Sequence, residues 1–142
     1  MKLGHVGLNA KDPRSLAGFY ESFLGLRIVG EAVTEQSGAM VFLSGKGNGV
    51  PDLQLMSNPG GRHFAFQVDS LAELRKLYAE APSRGATVVM SLDHGPTFSF
   101  YVRDPEGNVC EVYWPTGRRS AGDVRAVDLT RSEEELLELI RT

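Results

Sequence analysis

The sequence predicts an α+β fold: two βαβββ modules packing as a curved, barrel-like mixed sheet with helices outside, followed by a short C-terminal helix. Three observations carry this. A strand–helix–strand–strand–strand pattern runs from Leu3 to Met56 and starts again at Arg62. His5 and His63 hold the same place in the first strand of each unit, each with a small residue (Gly7, Ala65) two positions on. Gln54 and Glu111 correspond in the last strands, 49 residues after His5 and 48 after His63. Two copies of a unit too small to close its own core should pack into one structure.

In the first module, Leu3 to Asn9 reads as a strand, with Val6 and Leu8 on one face and His5, Gly7 and Asn9 on the other. Asp12-Pro13 starts a helix, Asp as cap and Pro at the first helical position. Leu16, Phe19, Tyr20 and Phe23 follow the spacing of one buried stripe, so the three aromatics are assigned to the core. Gly25 suits the helix end. Strands follow over 26–34, 39–44 and 52–56, and the glycine-rich run 45–49 is a hairpin turn that lacks the spacing of a phosphate loop.

The break Ser57-Asn58-Pro59-Gly60-Gly61 leads into the second module. Residues 62–68 form its first strand, with His63, Ala65 and Gln67 on one face. Ser70 and Glu73 make a capping box for a helix with the stripe Leu74, Leu77, Tyr78 and Ala81. Strands follow over 87–92, 97–103 and 108–114. Between the last two, Asp104-Pro-Glu-Gly-Asn108 is a turn; if it is symmetric about Glu106, Tyr101 lies opposite Glu111 on one face. Module 1 thus covers about residues 1–57 and module 2 about 62–115, one domain over 1–115. Residues 116–142 are an extended, irregular tail and a helix capped by Ser132 and Glu135, packing on the body or on a partner subunit.

Length and composition fit one compact soluble domain with a real core: 142 residues, 42% apolar and 23% charged. A net charge of −3 gives no pull toward nucleic acid or acidic membranes. The apolar runs are too short to span a bilayer, and Met-Lys-Leu-Gly-His offers no signal-peptide core. Cys110, the single cysteine, excludes an intrachain disulfide and a Cys-rich zinc site; it alternates onto the helix side. A cytoplasmic protein is the expectation.

One face of the repeat collects His5, Asn9, Gln54, His63, Gln67, Ser99, Tyr101, Glu111 and Tyr113. A carboxylate facing inward at Glu111 needs a partner, because an unpaired buried charge is expensive. Two imidazoles and one carboxylate, His5, His63 and Glu111, make a facial triad with open positions for a substrate. That set suits Fe(II) oxygen chemistry, and with Mn, Ni, Co or Zn it suits Lewis-acid work. Gln54 is placed as a weak fourth ligand or a substrate contact. His94 reads either as an acid–base group near the site or as an exposed turn histidine. Tyr101 is either a donor to substrate oxygen or a packed tyrosine. Arg62, Arg103, Arg118 and Arg119 could steer an anionic substrate, but are read in preference as solvated.

Together the paired units, the two first-strand histidines and Asp104-Pro-Glu-Gly-Asn-Val-Cys-Glu-Val-Tyr113 resemble the vicinal oxygen chelate superfamily. That group includes glyoxalase I, extradiol dioxygenases, methylmalonyl-CoA epimerase and bleomycin-resistance proteins. Within it the chain looks most like the extradiol, catechol-type dioxygenases. The resemblance implies His5, His63 and Glu111 as Fe(II) ligands, with His94 and Tyr101 as active-site residues. It further implies a small-molecule substrate with neighbouring oxygens and O2 as co-substrate. A homodimer is expected, with the modules pairing either within one chain or across the dimer. Where that family carries a pocket histidine in a His-His-Asp-Leu-like run, this chain reads Val50-Pro51-Asp52-Leu53, and Pro51 cannot move protons. Glyoxalase-type isomerases usually place a glutamate where Gln54 stands. Two other readings accompany the dioxygenase: a Lewis-acid isomerase, lyase or epimerase at the same metal, and a non-catalytic drug-binding protein.

Overall fold

The computed structural model describes residues 1–47, 49–119 and 123–141. It divides into two compact units, residues 4–64 and residues 1–3 with 65–142. Each holds one copy of the repeated pattern, and the α+β class follows.

In the unit spanning 4–64, strand β1 (Lys2–Asn9) leads into helix α1 (Pro13–Leu24), then strands β2 (Arg27–Thr34), β3 (Gly38–Ser44) and β4 (Leu53–Met56). Their order is β2-β3-β4-β1. β1 runs parallel to β4, setting Gly7 beside Gln54, while β3 is antiparallel to both β2 and β4. Asp12 caps α1 by accepting from Ser15 N at 3.1 Å, and Gly25 closes it in a left-handed conformation. The core is Ala17, Val41, Leu43 and Leu55, with Leu16 and Tyr20 packed beside them.

The aromatic stripe of α1 differs from expectation. Phe19 and Phe23 are 53% and 70% exposed, and they stack on each other at 5.4 Å. The helix meets the sheet through Ala17, with Leu16 and Tyr20 packed beside it, so the buried face is turned away from Phe19 and Phe23. Turning large rings inward there would hold the helix off the sheet. Asn48, in the expected 45–49 turn, lies outside the described residues.

In the other unit, β5 (Phe64–Gln67) precedes α2 (Leu71–Glu80), then β6 (Thr87–Asp93), β7 (Thr97–Arg103), β8 (Val109–Pro115), β9 (Arg125–Ala126) and α3 (Glu133–Arg141). The order is β5-β8-β7-β6-β9. Ser70 caps α2 through Glu73 N, and Glu73 returns its carboxylate to Asp69 N, one residue earlier than a strict capping box. Asp104 organises the β7–β8 turn: its Oδ1 accepts from Glu106 N and Asn108 N, each at 2.9 Å. Gly107 supplies the left-handed residue at φ 85°. The resulting register sets Tyr101 opposite Glu111 and Ser99 opposite Tyr113.

Side chains alternate strictly across this hairpin. Phe98, Phe100 and Val102 join Val68, Leu71 and Leu74 in the core, with Cys110, Val112 and Trp114 packed against them. The C-terminal residues belong to this core as well. Val127, Leu129 and Leu136 are buried in it, and β9 pairs with the end of β6. The stretch before α3, expected to be irregular to residue 129, therefore contains a strand; residues 120–122 lie outside the described residues.

β2 and β6, the second strands of the two modules, share a bulge. Pairing skips Val29 between Ile28 and Gly30, and Val89 between Val88 and Met90. The duplication thus extends to local irregularities.

Replacing exposed Phe19 or Phe23 by Ser should change unfolding free energy by no more than about 0.5 kcal/mol in urea titrations. Leu55→Ala or Leu74→Ala, both at fully buried positions, should each cost about 2–5 kcal/mol. Burial pushes the Cys110 thiol up to about 11, and the charges of Glu111 and Asp104 add to the rise. At neutral pH Cys110 should therefore resist a thiol reagent in the folded protein and react once urea unfolds it.

Candidate functional site

In the unit spanning 4–64, the two histidines meet. His5 Nε2 lies 3.0 Å from His63 Nε2, and the rings are nearly perpendicular at 89°. His63 sits one residue ahead of β5, and its carbonyl accepts from Gly7 N of β1 at 2.7 Å. His63 Nδ1 is 2.6 Å from Gly61 O. A carbonyl only accepts, so Nδ1 carries the proton, and in the neutral form of such a ring Nε2 is the lone-pair nitrogen, here facing His5. A backbone carbonyl on the far nitrogen is the usual support for a metal-binding imidazole. Two ring nitrogens each about 2.1 Å from one ion, at a right angle, would lie about 3.0 Å apart. The donor type, spacing and tautomer all fit a divalent metal.

Glycines make the close approach possible. A Cβ on Gly7 would sit 2.8 Å from Met56 Cε and 3.3 Å from both Nδ1 and O of His63. One on Gly61 would meet Ser37 Oγ at 2.1 Å. Gln54 lies beside Gly7 in the parallel pairing, on the same sheet face as His5.

Glu111 belongs to the other unit, at mid-β8 and 4% exposed. Its Oε1 accepts from Ser99 Oγ at 2.8 Å, and Ser99 is itself fully buried, 3.3 Å from Thr97 Oγ1. The diagonal step from Ser99 to Glu111 follows from the register already described. Tyr101 stands directly opposite Glu111, and its OH lies 3.0 Å from His94 Nε2. Burial raises the Tyr101 pKa, and the charge of Glu111 and a hydrogen bond with it raise it further. The phenol therefore stays protonated around neutrality. With its proton on the acceptor-only carboxylate, Tyr101 oxygen takes a bond from His94 Nε2–H, giving the order His94, Tyr101, Glu111. Farther along the same face, Tyr113 OH donates to Gln67 Oε1 at 3.4 Å.

Other expected residues divide. Asn9 is exposed on β1 and directs Nδ2 to Met56 O at 3.5 Å. Arg62, Arg103 and Arg119 are exposed, whereas Arg118 is ion-paired to Asp93 at 2.5 Å. The Pro51-Asp52 run performs structural work. Asp52 O accepts from Val6 N at 3.0 Å, and its carboxylate takes Gly45 N at 2.7 Å and Lys46 Nζ at 2.5 Å. Sequence reasoning assigned no role to the Gly61 carbonyl or the Ser99 hydroxyl. Ser99 was legible in principle, two residues before Tyr101 on the Glu111 face; a backbone carbonyl in a loop carries no such signal.

Comparison with known proteins places these features in a family. Over 118 residues the chain is 29% identical to biphenyl-2,3-diol 1,2-dioxygenase 3 of Rhodococcus globerulus, covering 78% of this chain. That match spans 62% of the dioxygenase, less than two thirds of its length. A probable trivalent organoarsenical cleaving enzyme of Bacillus subtilis strain 168 is 26% identical over 118 residues, 80% of each chain. Among solved structures, the Mn(II)-bound glyoxalase from Novosphingobium aromaticivorans shares the fold with a TM-score of 0.68 at 22% identity, over 87% of this chain and 42% of its own. The model of the Glyoxalase/Bleomycin resistance protein/Dioxygenase superfamily matches residues 2–112, and the chain belongs to that superfamily, as its duplicated histidine-bearing strands led us to expect.

Proposed function

We propose that the protein is a metal-dependent dioxygenase of the extradiol type, opening a catechol-like ring with O2. His5, His63 and Glu111 are the ligand set that this reading requires, with Fe(II) as the metal. The observation that carries it is the His5–His63 pair, spaced at 3.0 Å with the far nitrogen of His63 held by Gly61 O. The named dioxygenase relative supports the reaction class. When bound, Fe(II) supplies a Lewis-acid centre able to take up vicinal oxygens and to engage O2.

The chain's own residues supply position and proton control. Ser99 fixes one oxygen of Glu111 by its hydroxyl bond. His94 and Tyr101 act on the substrate hydroxyls. Tyr101 stays a neutral phenol between His94 and Glu111, and His94, half-buried and in contact with its phenol oxygen, is the acid–base group of this reading. Gln54, on the His5 face, offers an amide to orient substrate.

A second reading is a lyase acting at the same residues. The match to the organoarsenical cleaving enzyme, even across 80% of both chains, favours it. Against it stands the thiol supply. A soft trivalent centre prefers thiolates, and the only cysteine is Cys110, on the helix side with a raised pKa.

Anaerobically iron-loaded protein should consume O2 and yield a yellow ring-fission product with at least one member of a catechol panel. His5→Ala and Glu111→Gln should each lower that rate about a hundredfold or more through lost metal. Absence of turnover across the panel, with metal bound, would remove the dioxygenase reading; arsenite release from a trivalent organoarsenical would establish the lyase. Ser99→Ala should weaken metal affinity about 10–100-fold by competition titration, while far-ultraviolet dichroism stays unchanged.

A further inference from the structure

The chain leaving β8 folds back onto the turn that carries His94. Thr116 N donates to Pro96 O at 2.8 Å, and Thr116 Oγ1 donates to Gly95 O at 2.5 Å. Arg118 Nη2 reaches Asp93 Oδ1 at 2.5 Å, and the same oxygen accepts from Gly95 N at 2.8 Å. Arg118 N and Nε both donate to Thr116 Oγ1, at 3.2 and 3.4 Å. The guanidinium also lies 5.7 Å from the centre of the Phe98 ring. Thr116 thus spends its one hydroxyl proton on Gly95 and receives two from Arg118, which uses the capacity of that oxygen in full.

The bonds that Thr116 and Arg118 make to the turn end on Asp93, Gly95 and Pro96, the residues on either side of His94. His94 gives its own N–H to Thr97 O at 2.9 Å, and its ring reaches Tyr101 OH. The ion-paired side chains are only 28% and 16% exposed, so water screens them less than a surface pair. Arg118 uses two different nitrogens on two partners, which a lysine cannot do.

We propose that Thr116 and Arg118 are positioning residues that lock the Asp93–Pro96 turn, so that the His94 imidazole is presented to Tyr101. The catalytic consequence rests on the dioxygenase reading, but the orientation of His94 does not. Thr116 and Arg118 lie beyond the stretch matched by the family model, which ends at residue 112, while the turn they hold lies within it.

The test is carbethoxylation of the three histidines in the full chain by diethylpyrocarbonate, with rates resolved by peptide mass spectrometry. In Thr116→Val and Arg118→Met, His94 should react about three- to tenfold faster than in the unmodified chain, as its turn opens locally. His5 and His63 should keep their rates, and Thr116→Ser, which retains the hydroxyl, should behave as the unmodified chain. An unchanged His94 rate in both variants would overturn the proposal. So would equal acceleration of all three histidines, which signals general loosening. Oxygen uptake tests the dioxygenase reading separately: a chain that turns over no catechol yet shows the selective His94 response keeps the lock and loses only the chemistry.

Discussion

A carboxylate buried at mid-strand is the constraint from which the second unit takes its form. Glu111 is 4% exposed, and such a charge is tolerable only among donors. Ser99 meets that need at 2.8 Å from a fully buried position, and Tyr101 adds a buried phenol across the ladder. These donors share a face with Glu111 only because the Asp104–Asn108 turn fixes the β7–β8 register. A slip of one residue would send Glu111 into the apolar layer with Phe98 and Phe100. The hydrogen bonds around Asp104 are therefore part of the machinery, although they lie at the exposed tip of the hairpin.

The histidine pair shows the complementary arrangement, in which backbone does the positioning. His63 is held at both ends of its residue: its carbonyl takes Gly7 N, and its Nδ1 faces Gly61 O. Gly7 admits this approach because a side chain there would press on Met56 and on the imidazole. Small residues beside a ligand serve distance as much as flexibility.

Much of this was legible in the sequence, and the reasons are specific. The hairpin pairing of Tyr101 with Glu111 follows from turn chemistry and strand periodicity, both local rules. The modules were legible because the pattern is written twice, so an ambiguous strand in one copy is supported by its counterpart. Phe19 and Phe23 were misplaced because helical spacing identifies a stripe but not which side of it meets the sheet. Ala17, a small residue inside the same helix, proved to mark the contact. Arg118 was misread as solvated because its partner Asp93 is distant in sequence, and β9 was missed because two residues of pairing leave no periodic trace.

The surplus valines of β2 and β6 bear on how readily an outer strand could recruit another polypeptide. A straight outer strand offers a continuous row of amides on which another polypeptide can grow as an extra ribbon. β2 lies at an end of the order β2-β3-β4-β1, and the insertion at Val29 interrupts that row. On β6 the row is blocked twice, by Val89 near one end and by Arg125–Ala126 at the other. Removing either extra valine would flatten a strand and leave a longer template for fibril-like growth.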